Sequence, residues 1–170
     1  FAGIGPRRTQ SLRGGILETA PFHWNGELAS LNHLMSEVFQ NRMNGSAVER
    51  NRVESLGRWI DGIPNVRTSV WAGSDAVARG KALFEGDAGC AACHNGKHMT
   101  DNKNVDVGTG GLFQTPQLHS LAFRAPFMHD GCAGTLEERF TKCGGGDRHG
   151  KTSQLSTAQI ADLVAYLETL

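Results

Sequence analysis

The stretch GDAGCAACHNG, residues 86–96, places two thiols and an imidazole, Cys90, Cys93 and His94, in one glycine-flanked turn. In C-x-x-C-H the two thiols can add to the vinyl groups of a haem, which aims the adjoining imidazole at the iron as its proximal ligand. Two other chemistries use the same residue types. Cys90 and Cys93 could form half of a zinc site completed by Cys132 and Cys143, or a redox-active C-x-x-C pair. A redox pair expects a βαβ unit around it, whereas this motif follows SDAVARGKALF with no β-rich alternation nearby.

The elements flanking the motif read as helices. Ser74 can cap a helix that carries Val77, Gly80 and Phe84 on one face and ends at Gly86. LSTAQIADLVAYLETL opens with Ser156 and Gln159 in capping-box spacing, then sets Ile160, Leu163, Val164 and Leu167 at i, i+3, i+4 and i+7. Gly80 would let the first of these helices approach Tyr166 of the last. Glycine is concentrated around 108–111, 131–134 and 144–150, the signature of long irregular loops of the kind that wrap something.

Composition excludes several classes. A chain of 170 residues with zero formal net charge can form one or two small lobes and has no footprint of a nucleic-acid binder. No apolar run approaches the roughly 18 residues that span a membrane. Phe1 does not open a signal peptide, so a soluble, processed chain is expected.

Residues 74–170 resemble a class I cytochrome c domain, through GKALF before CAACH, a loop-rich middle and the terminal helix. Within 115–140, TPQLHSLAFRAPFMHDGCAGTLEERF is similar to the bacterial di-haem cytochrome c peroxidase and MauG group. The resemblance implies an all-α, cytochrome c-like helical lobe wrapped around covalent haem c, with long irregular loops and a second axial ligand supplied before the terminal helix. It also implies assembly in the periplasm or another extracytoplasmic space, with redox proteins as partners.

That group carries two haem lobes, and an internal repeat is present. APFHWNG at 20–26 lines up with APFMHDG at 125–131, ASLNHLM at 29–35 with GTLEERF at 134–140, and Val53, Leu56, Trp59 and Ile60 with Ile160, Leu163, Tyr166 and Leu167. Residues 1–62 therefore read as the C-terminal part of a first lobe without its haem-attachment segment, 63–73 as a linker, and 74–170 as a complete cytochrome c domain. The chain is expected to be a piece of a longer di-haem polypeptide or to pair with another segment or chain that holds a second haem. The competing reading makes residues 1–60 a haem-free helical appendage.

The distal ligand decides what the haem can do. Met99, Met128, His119, His129 and His149 are candidates by type, with Cys143 a remoter thiolate. His149 sits on RHGKTSQLS just before the terminal helix, where small cytochromes c carry their distal ligand, and Met128 is the alternative. RMNG parallels RHG, so Met43 stands as the candidate distal ligand of a first haem. Arg124, Phe127 and Met128 are expected in the haem pocket, Arg124 as a propionate partner. The di-haem resemblance makes Trp71, in the linker, a candidate residue between haems. Cys132 and Cys143 flank TLEERF, and a protein assembled where haem c is attached would join them as a disulfide.

Two protein ligands leave no vacancy for peroxide, so outer-sphere electron transfer through a six-coordinate haem is the leading expectation. The alternatives are a di-haem peroxidase or MauG-like oxidoreductase acting on peroxide, and an electron-transfer module of a larger protein.

Overall fold

The computed structural model describes residues 5–170; the first four residues of the expected 1–62 lobe lie outside it. Five helices carry the fold: α1 (Leu31–Leu34), α2 (Arg50–Asp61), α3 (Asp75–Glu85), α4 (Leu136–Thr141) and α5 (Thr157–Leu167). One short antiparallel pair, β1 (Asn104–Asp106) and β2 (Leu112–Gln114), modifies the all-α expectation, with Val105 facing Phe113.

The helices begin where their caps dictate. The Ser74 hydroxyl accepts from the Val77 amide, and Ser156 and Gln159 form a reciprocal capping box at α5. Val77, Gly80 and Phe84 turn to the core from α3, and Leu163, Val164, Tyr166 and Leu167 from α5. The two helices cross at Gly80, where a Cβ would lie 1.9 Å from the Asp162 carbonyl oxygen and 2.9 Å from Tyr166 Cβ. Phe84 meets Tyr166 edge to face at 5.3 Å, and the Arg79 fork grips the Asp162 carboxylate at 2.7 and 2.8 Å beside the crossing. Full burial of side chains such as Leu163 and Phe84 contributes about 2 kcal/mol each.

The repeat read from the sequence is a repeat of backbone. In each copy the alanine–proline peptide is cis, and the phenylalanine forms an isolated antiparallel bridge, Phe22 with Leu28 and Phe127 with Ala133. His23 (φ 68°) and Met128 (φ 69°) both occupy the left-handed region, as do Gly26 and Gly131. Each turn leads into a capped helix, with Ser30 accepting from the His33 amide and Thr135 from the Glu138 amide.

Beyond the turns the copies diverge. After α1 the first chain segment widens into a π-helix, Met35–Arg42, closed by Met43 N–H donating to the Val38 carbonyl. Helix α2 turns Val53, Gly57 and Ile60 inward, while Leu56 and Trp59 face outward. Segment 63–73 is pinned rather than free at its start: Val66 N–H donates to the Ser120 hydroxyl, which donates back to the Val66 carbonyl. The amino-terminal segment runs along the second lobe. Arg8 N–H donates to the His129 carbonyl, Gln114 N–H to the Trp24 carbonyl, and the Gln117 amide to the Arg13 carbonyl.

Candidate haem site

The C-x-x-C-H turn follows α3 directly. Gly86 ends the helix, Gly89 (φ 67°) reverses the chain, and a single 3-10 turn, Cys90–Ala92, presents both thiols to one cavity. Cys90 and Cys93 are unpaired thiols, each with its pKa raised chiefly by burial. His94 Nδ1 lies 3.2 Å from the Met99 carbonyl oxygen, so the ring donates there and Nε2 is the nitrogen left for a metal. Burial pushes the His94 imidazolium pKa down, keeping the ring neutral and able to bind.

His149 faces it across the cavity. The two ring centres are 6.3 Å apart with planes tilted by 35°. Two metal–imidazole bonds of about 2 Å in line would set facing ring centres roughly 6 Å apart. His149 Nδ1 is buried without a protein partner among the described residues. Burial, then the Arg139 charge and the neighbouring His94 titration, bring its pKa to about 3. Two neutral imidazoles at this spacing, with two thiols on the same wall, form a donor set that fits a covalent haem and its two axial bonds.

The loop bearing His149 is held from several sides. The Arg139 guanidinium donates to the His149 carbonyl, Lys151 N–H donates to the Ala88 carbonyl at 2.9 Å, and Asp147 accepts from the Thr152 and Ser153 amides. Arg148 pairs with Asp106 of β1 at 2.5 Å. The sulfurs of Cys132 and Cys143 are joined, closing α4 and the start of this loop into one ring.

Other residues singled out in the sequence fall into three groups. Arg124, Phe127 and Met128 line the same cavity as the thiols. The Arg124 guanidinium donates to the Gln117 carbonyl at 2.6 Å, keeps a buried Nε without a partner, and is lowered to about 10 by burial and then by Arg8. Met99 spends its carbonyl on His94, His98 pairs with Glu18 at 2.8 Å, and His119 reaches the Lys97 carbonyl.

Trp71 is 75% exposed and Met43 66% exposed, the π-helix ending in solvent just before Met43, and neither is among the residues lining the thiol-bearing cavity. The indole between cavities is Trp24. It borders both the thiol-bearing cavity and a wider one of about 730 Å³ along the amino-terminal segment, and donates to the Arg8 carbonyl at 2.6 Å. The repeat carried that signal, since Trp24 aligns with His129 of the second turn. Arg139 also escaped the sequence reading, although it shares an apolar helix face with Leu136 and Phe140 at i−3 and i+1.

The cytochrome c family model matches residues 77–170, more than half of the chain. The chain belongs to the cytochrome c family. It is 36% identical over 126 residues to the methylamine utilization protein MauG of Methylorubrum extorquens, covering 58% of this chain and 35% of that protein. It is 34% identical over 140 residues to a cytochrome-c peroxidase of Pseudomonas sp. strain SCT, covering 54% and 38%. The chain thus spans between a third and two-fifths of the length of these curated relatives. In fold it is similar to the hydrazine synthase structure of Kuenenia stuttgartiensis, with a TM-score of 0.83 at 23% identity over 99% of this chain and 74% of that one. This cytochrome c is similar to MauG and to cytochrome-c peroxidases, and its cofactor is covalently bound haem c. Among the described residues no helix is long and apolar enough to cross a membrane.

Proposed function

We propose that residues 74–170 hold a six-coordinate haem c through Cys90, Cys93, His94 and His149, and that this lobe carries electrons by outer-sphere transfer. The observation that supports the reading is the pair of facing neutral imidazoles, 6.3 Å between ring centres, in the cavity that bears both thiols. Haem c supplies a one-electron iron couple there. Cys90 and Cys93 fix the macrocycle to the turn after α3. His94 is oriented by the Met99 carbonyl, and His149 is oriented by the loop that Arg139, Asp147 and the Cys132–Cys143 bridge restrain. Phe127 and Met128 shut the cavity wall, and Arg124 offers a buried guanidinium to a propionate. On this reading the lobe works in the periplasm with redox-protein partners.

Rapid mixing tests it. The purified ferrous protein should give its electron promptly to a soluble one-electron oxidant such as ferricyanide, and the ferric protein should ignore peroxide over the same interval. Rapid peroxide turnover by a high-spin resting haem on this lobe would overturn the proposal.

A second reading concerns the longer polypeptide. The wide cavity along residues 5–26, with Trp24 in the wall it shares with the thiol-bearing cavity, favours a second haem held by another segment, and kinship with MauG and the peroxidases favours oxidation chemistry at that haem. In that arrangement residues 1–62 finish a first lobe, 63–73 link it to the second, and the 74–170 lobe relays electrons to the reacting one.

A further inference from the structure

Arg139 is a cation on the cavity wall with no carboxylate partner among the described residues. It projects from α4 into the thiol-bearing cavity, stacks on the Phe140 ring at 4.6 Å, and donates to the His149 carbonyl. The acids on the elements around it are otherwise engaged: Glu138 with the Gly134 amide and Lys142, Asp106 with Arg148, Asp147 with Thr152 and Ser153, and Asp162 with Arg79, while Glu137 of the same helix is exposed. Desolvation is strong enough to bring the guanidinium pKa to about 10, which still leaves it charged at neutral pH.

The position of that charge decides its effect. Its guanidinium donates to the carbonyl of His149, and a Cβ on the next residue, Gly150, would lie 3.7 Å from Cys90 Sγ, so the charge stands on the Cys90 side of the cavity. In a haem the vinyl groups, which become the thioethers, and the propionates occupy opposite edges of the macrocycle. A haem held by Cys90 and Cys93 would carry its propionates on the opposite edge, where they would not compensate the Arg139 charge. A half-buried fixed cation disfavours the iron state carrying the additional positive charge, and a site of lowered dielectric strengthens that preference. It works against the low potential that two imidazole ligands confer. At the same time its hydrogen bond fixes the backbone of the residue that supplies one of those ligands.

We propose that Arg139 is a positioning residue that raises the reduction potential of this haem while holding His149 in place. The inference rests on the axial assignment of His94 and His149. The test is a spectroelectrochemical titration of the intact holo-protein alongside Arg139→Gln, Arg139→Lys and the exposed control Lys81→Gln. Arg139→Gln should remain low-spin while its ferrous-to-ferric ratio at a fixed potential falls about tenfold, a midpoint shift of about 59 mV in the negative direction for a one-electron couple. Arg139→Lys, which keeps the charge, should stay near the parent midpoint, and Lys81→Gln should not move it. Most of the shift should persist at high salt, because partly buried charges are screened much less than exposed ones.

A low-spin Arg139→Gln protein with the parent midpoint would overturn the proposal. If Arg139→Gln turns high-spin, Arg139→Lys decides: a low-spin lysine variant near the parent midpoint supports the proposal, and one that loses low-spin character or drops as far as a charge-free site contradicts it. A parent protein whose ferric spectrum is not bis-imidazole would instead defeat the axial assignment.

Discussion

The two alanine–proline–phenylalanine turns share a backbone and do different work. Both reverse the chain through a left-handed residue, His23 or Met128, and both hand over to a helix capped by a hydroxyl, Ser30 or Thr135. After the second turn, a disulfide and a glycine-rich loop bring His149 to face His94. After the first, a π-helix runs into solvent and leaves Met43 exposed. The continuous core differs in the same sense. Val77, Phe84, Leu136, Leu163 and Leu167 form one cluster within residues 74–170, whereas the segment from residue 5 to 34 borders a wide cavity. The turn is thus a reusable corner, and the ligand geometry comes from what clamps the chain after it.

The largest contrast should lie at two helix glycines. Gly80→Ala drives a Cβ into the Asp162 carbonyl at 1.9 Å, where backbone must yield. The cost should exceed the roughly 1–3 kcal/mol of ordinary overpacking. Gly57→Ala in α2 meets the tip of Leu31 at 2.9 Å, which can rotate away, and alanine gains about 1 kcal/mol of helix propensity. Denaturant unfolding of the two variants should separate them by more than about 2 kcal/mol; equal effects would erase the distinction between the tightly crossed lobe and the open one.

Removing the clamp should come next. Cys132 and Cys143 are 11 positions apart, and a ring of that size contributes about 2–3 kcal/mol. The paired Cys132→Ser, Cys143→Ser variant should lose about that much stability and bind cyanide faster in the ferric state, because the His149 loop loosens. Unchanged cyanide kinetics would detach the clamp from the ligand.

At the boundary between the cavities, Trp24→Phe forfeits the indole hydrogen bond to the Arg8 carbonyl and should cost about 1 kcal/mol. Trp71→Phe, at an exposed position, should be neutral in the same melt. The smallest expected effect is at Asp147, whose carboxyl is held below its ordinary range first by the Ser153 hydroxyl and amide. Because its folded pKa is depressed, its stabilisation is complete above the ordinary carboxylate range and disappears as pH falls through the folded value. Asp147→Ala should therefore lower the melting midpoint slightly at neutral pH and match the parent in strong acid.

Legibility in the sequence followed the range of the interactions involved. The caps at Ser74 and Ser156, the apolar faces of α3 and α5 and the C-x-x-C-H turn are set by residues a few positions apart, so spacing alone specified them. The place of His149 shortly before α5 is likewise a matter of sequence order. The exposure of Trp71 and Met43 depends on how distant segments pack, which spacing does not register. Aligning RMNG with RHG could not register that the first copy lacks the disulfide-closed loop. Trp24 was visible in the repeat, at the position of His129, but its contact with both cavities needed the amino-terminal segment held against His129 and Gln114. Arg139 looked like one more charge in TLEERF until its helix face turned toward the cavity.

The most direct test of the axial pair is low-temperature electron paramagnetic resonance of the ferric holo-protein, beside His149→Ala and Met128→Leu. The parent should give a low-spin rhombic signal of two imidazoles with modestly tilted planes, in keeping with the 35° between the His94 and His149 rings. Met128→Leu should preserve that signal, and His149→Ala should convert it to high-spin. A low-spin signal that survives in His149→Ala and collapses in Met128→Leu would contradict the account.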